Sequence, residues 1–127
     1  MSKCPFCGVD PSRVVLASVC ALAIRDAFPV TEGHTLVIPR LHVKSLYELG
    51  VEDQDAVWEL VSRVRQEYKE RFGVHAFNIG INDGSEAGQT IEHAHVHVIP
   101  RRHGDVPDPR GGIRNIIPGK ARYWKAD

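Results

Sequence analysis

Two hydrophobic periods divide the chain. Between residues 52 and 72 the apolar residues Val57, Leu60, Val61, Val64, Tyr68 and Phe72 recur at steps of three and four, the spacing of one helical face. Glu52, Asp53 and Asp55 load the start of this stretch with negative charge, Lys69 and Arg71 sit near its end, and Gly73 follows. Charge and cap both agree with a helix dipole running that way. Elsewhere the apolar runs are short and rich in Val, Ile, Leu and Ala. Residues 13–18 and 19–25 read as two strands, 26–33 as a loop marked by Pro29 and Gly33, and 34–38 as a third strand closed by Pro39. Residues 44–49 allow one helical turn. Residues 74–82 alternate as a strand ending in the turn Asn82-Asp83-Gly84, and 91–99 form a strand ended by Pro100. From Arg101 onward Gly and Pro argue against regular structure. Strands, one long helix and more strands, with no repeating strand–helix unit, predict an α+β domain around an antiparallel five-stranded sheet with one long and one short helix.

At 127 residues the chain has the length of a single domain spanning 1–127, with a distinct segment at 1–12 and an irregular tail at 101–127. Hydrophobic residues at 43%, charged residues at 25% and a net charge of zero fit an ordinary globule. No apolar run reaches the 18 or so residues of a membrane span, and the Met-Ser-Lys-Cys start lacks the apolar core of a signal peptide. The expected compartment is the cytoplasm, with no membrane partner. Three cysteines, an odd number, favour metal binding or free thiols over a disulfide framework. Charge is uneven: residues 1–100 carry nine Lys or Arg against thirteen Asp or Glu, and 101–127 carry seven against three. A basic tail of this size is compatible with phosphate contact or with a solvated terminus, but lacks the aromatic interleaving of a nucleic-acid binder.

The strand at 91–99 carries the candidate chemistry. Residues two apart on a strand share a face, so His93, His95 and His97 are expected in one row, backed by the apolar Ala94, Val96 and Val98. One ion held by all three lies at the geometric limit, because the outer two Cα atoms would be about 13–14 Å apart and each imidazole plus metal bond reaches about 6–7 Å. The row divides more naturally into separate roles. At the other end, Cys4-Pro5-Phe6-Cys7-Gly8 reads as half of a zinc site, since two thiolates on a tight turn reach one tetrahedral ion. A redox dithiol is the competing reading, weakened by Gly8 and Pro11, which interrupt the following helix such a centre uses. Cys20 is expected to be a small buried residue. Asp26 can serve as a loop cap. Leu22, Ile24 and Leu36 are expected in the core.

The segment Gly88-Gln89-Thr90-Ile91-Glu92-His93-Ala94-His95-Val96-His97-Val98-Ile99-Pro100-Arg101 resembles the signature of the histidine triad (HIT) superfamily of nucleotide hydrolases and transferases. Asn82-Asp83-Gly84-Ser85-Glu86-Ala87 resembles its fragile-histidine-triad-like branch, and Gly33-His34-Thr35-Leu36-Val37-Ile38-Pro39-Arg40-Leu41-His42 extends the resemblance upstream. It implies the HIT-like fold and a homodimer. It implies that His42 and His93 complete a structural Zn²⁺ site with Cys4 and Cys7. It further implies that Asp26, eight residues before His34, accepts the ribose hydroxyls, a task that suits a carboxylate, and that His34 joins the histidine row.

On that basis the expected mechanism makes His95 a nucleophile on the α-phosphorus of a nucleoside phosphate, forming a nucleotidyl-histidine that water resolves. A neutral imidazole can attack without first losing a proton. His34 and His97 are expected to hydrogen-bond phosphate oxygens or the nucleophile's surroundings, Gln89 and Thr90 to hold the phosphate and leaving-group side, and Asn82 to lie near the 5′ oxygen or phosphate. The nearest branch points to dinucleoside polyphosphates as substrates, an adenine nucleotide foremost, with Mg²⁺ as a companion of the polyphosphate. Phosphoramidate or aminoacyl-adenylate hydrolysis and phosphorolysis are alternatives within the family. Outside it stand a metal-dependent hydrolase using the histidine row and a nucleotide-binding protein without turnover. Asp108-Pro109-Arg110-Gly111-Gly112-Ile113-Arg114 is compatible with wrapping a polyphosphate or with a subunit contact, and Tyr123 and Trp124 are expected to dock the tail.

Overall fold

In the computed structural model, which describes residues 4–125, five strands make one antiparallel sheet: β1 (Val14–Ala17), β2 (Ala21–Arg25), β3 (Thr35–Pro39), β4 (Ala76–Ile81) and β5 (Val96–Arg101), in the order β1-β2-β3-β5-β4. The one long helix, α1, runs Val51–Phe72. Residues 1–3 of the expected N-terminal segment lie outside the described residues.

Strand alternation sorts the core into two layers. Ala21, Ala23, Val37, Ala94, Val96 and Val98 face α1 and pack on its Val57, Leu60, Val61, Val64 and Tyr68. Their sequence neighbours Ile24, Leu36 and Ile38 point to the opposite face, where Phe6 joins them and Cys4, Val9, Leu22 and Ile91 pack alongside. Every residue of β3 is therefore buried, because the helix covers one face and the N-terminal segment the other. Ile24 is core, Leu22 half-buried at its margin.

Polar groups inside this core are matched. The Thr35 hydroxyl donates to the Gly33 carbonyl (2.8 Å), so the Tyr68 hydroxyl, 2.7 Å away, donates to Thr35. Gly33 permits the arrangement: its φ is +89°, and a Cβ there would press within 3.3 Å of Pro100 and 3.5 Å of Tyr68. The helix starts on Gly50 without a side-chain cap and ends in left-handed Gly73, whose N–H donates to the Lys69 carbonyl while the Val74 N–H donates to that of Tyr68. Leu46–Glu48 is a 3-10 turn closed by a Ser45/Glu48 capping box.

Three expectations change. The strand expected at 91–99 forms only from Val96 and runs through Pro100 to Arg101. Pro100 is tolerated there because it costs the ladder only a single donor near the strand's end. The tail is not wholly irregular, for Gly112–Ile116 makes a 3-10 turn. Cys20 is only half-buried. It sits against Asp53, whose hydrogen bond and charge, with burial, raise the thiol's pKa.

Candidate active site

The bends at 91–95 separate the three histidines instead of aligning them. His93 is fully buried, and its Nε2 lies 2.8 Å from the Pro39 carbonyl. A carbonyl only accepts, so Nε2 carries the proton and Nδ1 keeps its lone pair. That lone pair faces the N-terminal turn, 3.4 Å from Cys4 Sγ and 3.7 Å from Cys7 Sγ, while His42 Nδ1 stands 3.1 Å from Cys7 Sγ. Burial lowers the His93 pKa, keeping the ring neutral, as a ligand must be.

Ligand atoms of Cys4, Cys7, His42 and His93 all lie within 4.8 Å of one another. Tetrahedral zinc with two sulfur and two nitrogen ligands has ligand–ligand edges of about 3.5 Å. Donor set, spacing and the His93 tautomer therefore fit such an ion. None of the three cysteines is in a disulfide.

His95 and His97 stay together, ring centroids 5.1 Å apart. The His95 Nδ1–H donates to the carbonyl of His93 at 2.8 Å, so its Nε2 holds the lone pair. His34 is fixed from the other side. The Val30 N–H donates to His34 Nδ1 (3.1 Å), leaving the proton on Nε2, which lies 3.0 Å from His97 Nδ1 and 3.3 Å from Asp26 Oδ2. His34 therefore donates to His97, and a neutral His97 must carry its own proton on Nε2. Burial, followed by the neighbouring His95 and His34, lowers the His97 pKa to about 4, and burial lowers that of His34 despite Asp26. The site thus offers one nitrogen lone pair, on His95, beside one N–H donor, on His97.

A cleft of about 420 Å³ opens over these rings, lined by Phe6, Leu36, Asp26, Asn82, Thr90, His34, His95 and His97 among others. His95 is only 8% exposed yet borders the cleft. Asp26 also accepts from the Phe28 N–H (2.8 Å), an Asx turn that points its carboxylate inward. A second cleft of about 760 Å³ adjoins the first, sharing His34, His97, Asn82 and Gly88, and is otherwise walled by β4 and by Ile113, Ile116 and Ile117.

Gln89 does not reach either cleft. Its Oε1 accepts from Gly84 N–H and its Nε2 donates to the carbonyls of Lys44 and Ile91, so its amide ties the loop before the histidines. The Arg110 and Arg114 forks are likewise spent elsewhere. Arg110 pairs with Asp108 and covers the Trp124 ring at 4.4 Å, while Arg114 bonds the Lys120 carbonyl and covers Tyr123 at 5.0 Å. These contacts join residues of the tail to one another, and neither arginine lines the histidine cleft. Sequence reasoning missed Phe6, whose ring meets His95 at 5.1 Å and His93 at 5.8 Å, both edge-on; only its place between two cysteines marked it.

An antiparallel sheet presenting a tautomer-locked histidine pair beside a Cys₂His₂ set defines a narrow class, and the HIT domain family model matches residues 8–104. The chain belongs to the HIT family. It is 38% identical over 94 residues to the asymmetrical bis(5′-nucleosyl)-tetraphosphatase of Schizosaccharomyces pombe, covering 74% of this chain and 52% of that protein. It is 34% identical over 108 residues to an adenylylsulfatase of Arabidopsis thaliana, covering 82% of this chain and 55% of the relative. The chain thus spans about half the length of each. A Zn-bound histidine triad family protein from Mycobacterium smegmatis superposes with a TM-score of 0.73 at 36% identity, covering 84% of each chain.

Proposed function

We propose that the chain is a nucleotide hydrolase or nucleotidyl transferase that attacks the α-phosphorus of a nucleoside phosphate with His95 Nε2. The observation that carries this reading is the bond from His95 Nδ1–H to the His93 carbonyl, which fixes the free electron pair on the nitrogen away from the backbone and steadies the cation formed on attack. In the first step a P–N bond forms as the P–O bond to the leaving phosphate breaks. His97 Nε2–H supplies a positioned donor to the departing or equatorial oxygens, where such chemistry gains most from placement. Water then attacks phosphorus, the P–N bond breaks, and the nucleoside monophosphate leaves. The Asp26 carboxylate accepts ribose hydroxyls, Leu36 walls the base, and Asn82 and Thr90 lie along the phosphate.

Two adjoining clefts meeting at His34 and His97 favour a substrate with a nucleoside at each end, a dinucleoside polyphosphate, adenine-containing in the first instance. The name of the fission-yeast relative supports that choice, and the plant relative keeps an adenylyl substrate with a non-nucleoside leaving group as the second reading. Zn²⁺ held by Cys4, Cys7, His42 and His93 has a structural part. The partner is a second copy of the chain, for which β4 offers an open sheet edge. The test is turnover of diadenosine polyphosphates and adenosine phosphoramidate by wild type and His95→Ala. The substitution should cut kcat by roughly 10³-fold or more while nucleotide binding persists; a retained rate rejects the assignment.

A further inference from the structure

The contacts that orient the inner side of the His95 ring all run through residues at, or next to, the four metal-ligating side chains. The carbonyl that accepts from His95 Nδ1–H belongs to His93. Ala94, between the two histidines, is pinned by its N–H to the carbonyl of Val43 at 2.7 Å, and Val43 directly follows His42. Phe6 stands between Cys4 and Cys7, 6% exposed, with its ring edge-on to His95 at 69° and to His93 at 84°. The His95 ring also meets His97, at 5.1 Å between centroids. The His95 ring is thus in contact with both Phe6 and His97, and Phe6 rides on the turn between Cys4 and Cys7.

We infer that Phe6 is a positioning residue for the nucleophile, and that filling the Cys4, Cys7, His42 and His93 set is what holds it in place. This rests on the reading of His95 as nucleophile. The physical ground is a difference in stiffness. Within the turn the Cys7 N–H donates to the Cys4 carbonyl at 3.3 Å, and sulfur is a weak hydrogen-bond partner for imidazole. Metal–thiolate bonds are far stiffer and fix both ends of the three-bond step that carries Phe6. An imidazole that loses its edge contact keeps the Nδ1–H bond but gains freedom to tilt, and a misplacement of about 1 Å in a reacting group can cost about a hundredfold in rate. The metal takes no part in the reaction; its effect is on where the ring points.

The test uses the full, zinc-loaded chain with histidine ring protons followed by NMR alongside steady-state kinetics. Phe6→Leu should keep one zinc per chain and a KM within about twofold of wild type, while kcat falls about ten- to a hundredfold. The ring-current displacement of the His95 ring protons should fall in Phe6→Leu and in chelated wild type alike, to the part that the neighbouring His97 ring causes. Phe6→Tyr, which keeps the ring, should retain both the displacement and most of kcat. A Phe6→Leu chain with unchanged kcat, a loss confined to KM, or His95 signals that ignore chelation would overturn the inference. If Phe6→Leu does not fold, Phe6→Tyr and chelated wild type still decide it. A His95→Ala chain that keeps its rate removes the nucleophile and this inference with it; a dead His95→Ala beside a fully active Phe6→Leu removes this inference alone.

Discussion

Three histidines of the site, His34, His93 and His95, each have the proton placed by one backbone group. Pro39 and His93 carbonyls take the protons of His93 and His95, and the Val30 N–H occupies the acceptor of His34. None of these partners can reverse its role, so the tautomers follow from the fold and not from pH alone. His97 inherits its state from His34, and its depressed pKa has a consequence for stability. The folded chain resists protonating His97 down to about pH 4, whereas the unfolded chain takes that proton near the ordinary value of 6.5. Between those values the unfolded state binds more protons, so stability is full above about pH 6.5, falls as the pH drops, and levels off below about 4. The stake is on the order of 3 kcal/mol. Urea unfolding of wild type and His97→Asn from pH 7.5 to 4 should show a shallower acid loss in the variant; equal slopes would contradict the role given to His97.

Among the elements, α1 and β3 meet through the Tyr68–Thr35–Gly33 chain of hydrogen bonds. Tyr68→Phe removes the donor to Thr35 but leaves the Thr35–Gly33 bond intact, so equilibrium denaturation should show a loss of about 1 kcal/mol and no change in slope. At the tail, Gly111 has φ +82° and a Cβ there would collide with the Ala121 carbonyl oxygen. Gly111→Ala should release the segment beyond residue 111, giving proteolysis at 114–122 that wild type resists, with the sheet intact. The helix, its C-cap, the five strands and the turn at Asn82 were legible in periodicity because burial has a period. The bends at 91–95 were not. Alternation there continues past the point where Ala94, His93 and His95 make crosswise bonds to Val43, Pro39 and their own loop, and no local pattern signals a bond to a distant carbonyl. Gln89 misled for the same reason, since residue type cannot tell an amide that binds a ligand from one that ties a loop.

For the molecule as a whole, α1 covers one face of the sheet and leaves the other for the N-terminal turn and the chemistry. Cys4 and Cys7 meet the distant His42 and His93 there, with ligand atoms all within 4.8 Å of one another. Chelation should therefore lower the melting temperature, and one equivalent of zinc should restore it; a melting curve indifferent to both would remove the metal from the structure. The family's motifs pointed to Cys4, Cys7, His42 and His93, which the fold brings together, while Phe6 and the second cleft needed coordinates, being products of packing across strands. No helix among the described residues is long and apolar enough to cross a membrane. The central claim is most directly tested by acid-free quenching of the working protein with a dinucleoside polyphosphate, followed by peptide mass spectrometry. A nucleoside monophosphate bonded to His95, lost on acid treatment and absent from His95→Ala, is the expected result. Steady turnover with no adduct at any time point, or an adduct on another residue, would contradict it.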